Sequence, residues 1–113
     1  WSAVVSILKL GGYIIVFSCL SAYICLLPVK NIYITGILCG ITEITNGIYL
    51  ISRFPVPLFY QTILILAVNA FGGFSTVMQT AGITKRSSFG IKKYICGKLL
   101  LTVLTCLHCI VLL

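Results

Sequence analysis

Residues 31–52 read NIYITGILCGITEITNGIYLIS, a run with the length of a membrane helix but with more polar side chains than a helix surrounded by lipid should carry. Its small and polar positions recur with the i, i+3, i+4, i+7 spacing of one helix face: Gly36, Cys39, Gly40, Glu43, Asn46 and Gly47. Polar groups are costly against lipid, so this face is predicted to contact protein or water.

The composition of the whole chain is that of an integral membrane protein. Of its 113 residues, 60% are hydrophobic and 8% are charged, whereas roughly 25% are charged in soluble domains. Its high hydrophobicity also excludes an intrinsically disordered chain. The net charge of +7 comes from basic residues that flank the apolar runs, so they are interpreted as topology signals and no nucleic acid is expected. Because the first residue is Trp1, we expect a segment of a longer chain, with the N-terminal part of the same protein as a partner.

Four hydrophobic runs predict the fold class: an all-α, integral membrane helical bundle of about four transmembrane segments in one domain. The expected spans are 1–27, 31–52, 58–82 and 94–113, and the Gly72–Gly73 pair is where the third would break. Four crossings would place Lys30 and the loop 84–93 on one side of the bilayer, with Arg53 and both termini on the other. That loop carries most of the charge (Lys85, Arg86, Lys92 and Lys93), so it is predicted to be cytoplasmic in a multi-pass protein of a bacterial cell membrane.

A second polar stripe lies in the third run. If this run stays helical, one face carries Asn69, Gly72, Gly73, Thr76, Gln79 and Thr80. For the glycines alone, close packing between helices is sufficient, since small residues spaced by four let backbones approach.

Glu43 is the only acidic residue and lies near the middle of its run. An ionised acid at that depth costs about 2.5–3.5 kcal/mol on insertion scales, and no Lys or Arg is expected at comparable depth. Three arrangements stay open: a protonated carboxyl hydrogen-bonded to Asn69, Thr76 or Gln79; a carboxylate lining a water-filled cavity; or contact with a partner. An acid inside the membrane is a candidate functional residue, against the simpler interpretation of a structural hydrogen bond.

The remaining chemistry-bearing residues do not form a catalytic or metal site in the sequence. The six cysteines lie inside apolar runs and are interpreted as free thiols. On a helix, Cys106 and Cys109 share a face that His108 does not, and no second cluster completes four ligands, so no metal and no cofactor is expected. One Glu, one His and no Asp supply neither paired carboxylates nor a Ser-His-Asp triad, so an enzyme is not expected.

Two motifs carry a family resemblance: Glu43-Ile44-Thr45-Asn46-Gly47, and Phe71-Gly72-Gly73-Phe74-Ser75 followed by Gln79. They resemble the YlbJ family of sporulation integral membrane proteins, which carries the nucleoside recognition or Gate domain. Residues 11–18 and the set Tyr94, Gly97, Lys98 and Leu99 extend the resemblance over nearly the whole chain. The Gate domain is shared with the spore maturation proteins A and B, the ferrous iron transporter B and the concentrative nucleoside transporters, so the resemblance implies a polytopic protein acting in sporulation.

The resemblance also implies a site. In the nucleoside transporters a Glu binds the ribose and a Phe-Ala-Asn-Phe-Ser-Ser motif contacts the nucleoside; Glu43 and residues 71–76 match these. Gly73 stands where those transporters have a ligand-binding Asn, while Thr76 keeps a hydroxyl. The implied substrate-binding residues, around a midplane site for a small nucleoside-like polar solute, are Glu43, Thr45, Asn46, Asn69, Gly73, Ser75, Thr76 and Gln79.

One departure from the transporters concerns architecture. They place a re-entrant hairpin ahead of the acid-bearing helix, whereas only ten residues, 26–35, separate the first two runs here. Two half-helices do not fit in that length at about 1.5 Å per residue, so a hairpin is expected to be absent. The alternative function is a non-transporting structural or assembly protein of spore formation, whose stripes pack helices or bind a protein partner, a second copy included.

Overall fold

A computed structural model describes residues 1–85 and 87–113; Arg86, which the sequence places in the polar loop, lies outside the described residues. The architecture is the expected all-helical membrane bundle, built from α1 (Ser2–Leu26), α2 (Ile32–Thr42), α3 (Ile44–Ile51), α4 (Leu58–Phe71), α5 (Gly73–Thr84) and α6 (Ile91–Leu112). Among the described residues, three stretches have the length and apolar composition to cross a membrane: Ser2–Leu26, Leu58–Thr84 and Ile91–Leu112.

The second run does not cross the membrane as expected, because it folds back on itself at Glu43. A Cβ added to Gly47 of α3 would lie 2.1 Å from the Cα of Gly40 in α2, so the two helices touch backbone to backbone. At the open end, the rings of Tyr33 and Phe54 pack edge to face with their centroids 4.9 Å apart. Residues 31–52 therefore form a helical hairpin, with both ends on one side of the bundle and Glu43 at the tip.

The length of the hairpin fits half a bilayer. The 11 residues of α2 rise about 16 Å, roughly half of a 30 Å hydrocarbon core. The connection before the second run holds no hairpin, as expected, because α1 ends at Leu26 and α2 begins at Ile32; the hairpin lies within the second run itself, where a single crossing was expected. Part of the small-residue stripe is the internal seam of the hairpin, where Gly47 packs against the backbone of Gly40; a Cβ on Gly40 itself would point at Val68 of α4, 2.9 Å away.

The third run breaks at Gly72, as expected, but it keeps its direction across the membrane. Gly72 and Gly73 have φ values of +86° and +69°, in the left-handed region that favours glycine. Beyond the break the neighbours change, because α4 packs against α6 whereas α5 packs against α1. With the helix interrupted, the predicted stripe from Asn69 to Thr80 no longer forms a single face.

The hairpin leaves three candidate crossings among the described residues, where the sequence predicted four. Lys30 and Arg53 flank the two ends of the hairpin and lie on one side of the bundle. Trp1 and Lys85 line one cavity, so the N-terminal end of α1 lies beside the loop that precedes α6. The predicted arrangement, with Lys30 beside that loop and both termini on the opposite side, assumed that every apolar run crosses, and the hairpin does not support that assumption.

Candidate functional site

The tip of the hairpin rests on the break in the third run. A Cβ added to Gly73 would lie 3.2 Å from the carbonyl oxygen of Thr42 and 3.4 Å from the Cα of Glu43. Non-helical backbone at membrane depth is tolerated only where protein buries it or where it lines a cavity. Two such segments in contact make this junction the candidate functional site.

Glu43 interrupts the second run with an extended backbone (φ −151°, ψ 131°) and then caps α3 with its own side chain. Its Oε1 accepts a hydrogen bond from the Thr45 N–H and its Oε2 accepts one from the Asn46 N–H, each at 3.0 Å. The residue is only 8% exposed. A carboxylate at the N-terminus of a helix satisfies unpaired N–H groups and interacts favourably with the helix dipole. This arrangement lets an acid lie inside the membrane without a cationic partner.

Three arrangements were open for Glu43, and in the part of the chain that it describes the structure does not show the first of them, a hydrogen bond to Asn69, Thr76 or Gln79. Within residues 1–85 and 87–113, no hydrogen bond joins its carboxylate to Asn69, Thr76 or Gln79; the backbone of its own hairpin takes their place. Thr45 and Asn46 therefore contribute main-chain N–H groups at the tip. The side chain of Thr45 is exposed and that of Asn46 is half-buried.

The polar residues of α5 bond mainly within their own helix. The amide of Gln79 donates to the hydroxyl of the buried Ser75 at 3.0 Å. The Thr76 hydroxyl donates to the carbonyl of Gly72 and so satisfies part of the broken backbone. Asn69 is exposed on α4. The structure thus brings Glu43, Thr45, Asn46 and Gly73 to the junction and keeps Thr76 at the break. Among the described residues, no hydrogen bond joins Asn69, Ser75 or Gln79 to the carboxylate.

Gln79 also reaches a second polar region near the loop end of the bundle. It lines a cavity of about 660 Å³ between the start of α1 and the end of α5, together with Lys9, Tyr13 and Lys85. This cavity lies about a turn and a half beyond Gly73 along α5.

Lys98 is the residue of this region to which the sequence assigned no role. Its Nζ donates to the carbonyl of Ala70 at 3.4 Å, and a Cβ on Gly72 would lie 3.5 Å from the same nitrogen. The last carbonyls of α4 have no partner within their helix, so a cation there is favourable. A basic residue therefore does reach the depth of the break, contrary to expectation. The available signal was a lysine inside an apolar run, which must find an acceptor or reach the membrane surface.

An apolar cavity of about 400 Å³ separates part of the hairpin from α4 and α6. Its lining includes Gly40 and Ile41 of α2, Phe71 of α4 and Leu99 of α6. The hairpin is thus packed tightly along its internal seam and less tightly on this outer side.

Comparison with known proteins gives one relative. The chain is 30% identical, over an alignment of 116 positions, to the sporulation integral membrane protein YlbJ of Bacillus subtilis (strain 168). The alignment covers 88% of the chain and 28% of YlbJ, so the chain spans less than a third of that relative's length. No family model matches the chain, and no solved structure matches it significantly. The chain is thus homologous to a sporulation integral membrane protein, and this similarity supports the YlbJ-like family that its motifs predicted.

Proposed function

We propose that the chain is a Gate-type membrane unit acting in sporulation, whose junction between hairpin tip and broken helix recognises or transports a small polar solute. The observation that carries this proposal is the contact of Thr42 and Glu43 with Gly73 at two interrupted helices. Interrupted helices in contact near the membrane midplane are typical of solute sites in secondary transporters.

The chemistry of the junction suits a solute with hydroxyl groups. A carboxylate offers about four acceptor positions, and the two hydrogen bonds from Thr45 and Asn46 leave the others of Glu43 for solute donors. The first N–H groups of α5 have no side-chain cap and are aligned with its helix dipole. A hydroxyl donates to one group and accepts from the other, so a ribose-like or nucleoside-like solute fits both.

The packing around the hairpin supports movement of its tip. The hairpin enters and leaves on one side, so its tip is connected to the other helices only by packing. The apolar cavity beside Gly40 and Phe71 leaves room on the α4 and α6 side. A shift of the hairpin into this space would open the contact with Gly73.

Solute uptake tests the proposal directly. The full-length protein would be reconstituted in lipid vesicles and offered a panel of radiolabelled ribonucleosides. We expect uptake by the wild type and a loss of at least tenfold in Glu43→Gln, because the amide replaces one acceptor oxygen with a donor. Thr105→Val is the control and should transport normally, because Thr105 is half-buried near the end of α6 and its hydroxyl bonds to the carbonyl of Leu101 in the same helix. Equal uptake by inserted Glu43→Gln would contradict the role of Glu43, and no uptake of any solute by the wild type would contradict transport.

The second candidate is a structural or assembly protein of the sporulating cell's membrane. It is favoured by the saturated bonding of Glu43 to the α3 backbone and by the glycine seam, both of which stabilise the hairpin by themselves. This candidate predicts that Glu43→Gln is tolerated in sporulation, whereas Gly36→Leu or Gly72→Leu prevents stable assembly. Spore yield measured in strains carrying each variant distinguishes the two functions.

The orientation of the unit is also a proposal. With three crossings, the loop 84–93 with its four basic residues faces the side opposite Lys30 and Arg53, so the positive-inside rule places the loop in the cytoplasm. Single cysteines at Val29→Cys and Ser88→Cys, in a chain whose native cysteines are changed to serine, report the two sides. We expect a membrane-impermeant maleimide to label Val29→Cys in intact cells and Ser88→Cys only after permeabilisation. Labelling of both from one side would contradict the hairpin, and the reverse pattern would contradict the orientation.

A further inference from the structure

Two cysteine thiols meet between α1 and the hairpin. The Sγ atoms of Cys25 and Cys39 are 3.5 Å apart. Cys39 is completely buried in α2, where its thiol also donates to the carbonyl of Ser21 at 3.5 Å. Cys25 is exposed in the last turn of α1. The rest of the chain therefore leaves the Cys25 thiol uncovered, and the Cys39 thiol lies behind it within contact distance.

The local packing brings the two side chains into contact. Ser21, which is fully buried, is small and lets α2 approach α1 at this level. A disulfide needs a sulfur separation of about 2.05 Å, so the sulfur atoms must approach by about 1.5 Å. Rotation of the exposed Cys25 side chain between staggered rotamers moves its sulfur by more than this amount.

We propose that Cys25 and Cys39 are a modification site that forms a reversible disulfide between α1 and the hairpin, with a small-molecule disulfide as oxidant. The Cys25 thiol loses its proton and attacks one sulfur of the reagent RSSR, which gives a mixed disulfide and releases one RSH. The Cys39 thiol then loses its proton and attacks the Cys25 sulfur, which releases the second RSH. In sum, two protein thiols are oxidised to one disulfide and one RSSR is reduced to two RSH.

A disulfide between Cys25 and Cys39 would affect the hairpin tip. Glu43 follows Cys39 by four residues, about one helical turn, so a bond at Cys39 fixes the tip relative to α1. This consequence for solute handling rests on the proposed function. The proposed orientation places Cys25 on the non-cytoplasmic side of the hairpin tip, in the half of the bilayer nearer to the compartment where disulfides persist. Formation of the bond itself depends on neither proposal and is tested separately.

The test uses the full-length protein in detergent, folded as judged by gel filtration, with 4,4′-dithiodipyridine as the probe. This disulfide leaves a pyridyl adduct on a thiol that reacts alone, whereas a second thiol in contact displaces the adduct. We expect the wild type to carry no adduct on Cys25 or Cys39 and to yield a crosslinked pair of peptides in mass spectrometry. Dithiothreitol should restore both free thiols.

Three variants make the result decisive. In Cys39→Ser, Cys25 should keep the adduct, and in Cys25→Ser, an exposed change that folding should tolerate, the crosslinked peptide should fall to background. The matched control Cys106→Ser/Cys109→Ser removes two thiols elsewhere and should leave the yield of the crosslink unchanged. A wild-type protein that keeps the adduct on Cys25, or in which Cys25 and Cys39 both stay free, would overturn the proposal.

Discussion

The second and third runs are both interrupted near the membrane midplane, but by opposite means. At Glu43 the backbone stays in the ordinary extended region, and a side chain replaces the lost helical hydrogen bonds. At Gly72 and Gly73 the backbone enters the left-handed region, and no side chain caps the helix that follows. The first interruption reverses the chain, whereas the second lets it continue across the membrane. A change in side-chain chemistry should therefore damage the first break, and a change in backbone freedom should damage the second.

The largest expected effect breaks the hairpin itself. In Gly47→Ala the new Cβ would lie 2.1 Å from the Cα of Gly40 and 2.6 Å from its nitrogen, and neither backbone atom can move aside alone. We expect a loss of about 3 kcal/mol or more, at or above the upper end for overpacking. Thermal unfolding in detergent measures it, with Gly97→Ala as the control because no atom lies within 4 Å of its added Cβ. Equal melting temperatures for the two variants would contradict the close contact between α2 and α3.

The next effect isolates the side-chain cap. Glu43→Ala removes both hydrogen bonds to the start of α3, and we expect a cost of about 2 kcal/mol, the upper end for a helix cap. Asn31→Ala is the matched control, since the Oδ1 of Asn31 accepts from Tyr33 and Ile34 at the start of α2 in an exposed position. Water can replace that cap, so its loss should cost about 0.5 kcal/mol. If the two changes lower the melting temperature equally, the N–H groups beside Glu43 are not shielded from water.

The third effect tests backbone freedom at the second break. Gly73→Ala puts an L-residue at a φ of +69°, which costs about 1–2 kcal/mol. Its Cβ would also lie 3.2 Å from the Thr42 oxygen, so the hairpin tip must shift slightly. The control is Gly12→Ala, in the middle of α1 with nothing near the added carbon. A melting temperature for Gly73→Ala that matches the control would show that α4 and α5 are joined without a left-handed residue.

The smallest expected effect concerns the cation at the end of α4. Lys98→Met keeps the apolar stem but removes the hydrogen bond to Ala70, so we expect a loss of about 0.3–1 kcal/mol. Unfolding in this measurement separates helices that stay inserted. Because Lys98 carries its charge in the membrane both before and after the helices separate, the cost of inserting that charge cancels. Lys92→Met, exposed near the start of α6, should be nearly neutral in the same unfolding measurement. A more stable Lys98→Met protein would contradict the favourable contact.

Much of the fold follows from the sequence because the bilayer imposes strong constraints. Composition alone excludes a soluble domain, and the Gly72–Gly73 pair marks a break because few other residues adopt a positive φ. The hairpin was missed because the spacing of Gly36, Gly40 and Gly47 is the same whether the face packs on another segment or on the other half of its own run. The length of 31–52 then favoured a crossing. A signal for the hairpin existed in the near-symmetric placement of Gly40 and Gly47 about Glu43.

The site was predicted less completely than the fold. Motif resemblance placed Glu43 and Gly73 together correctly, since both lie at interrupted backbone. It could not show that the carboxylate caps α3, because Glu is not among the usual capping residues. Nor could it show that Gln79 bonds to Ser75 of its own helix, because the predicted face from Asn69 to Thr80 assumed a helix that is broken at Gly72.

The return of residues 31–52 to the face from which they entered leaves the unit with an odd number of crossings. Its chain consequently enters the bilayer on one side and leaves on the other. If two such units were joined end to end, the second would be inserted upside down relative to the first. The odd number of crossings would then be sufficient to relate the two units by a two-fold axis in the membrane plane. Many transporters have this symmetry.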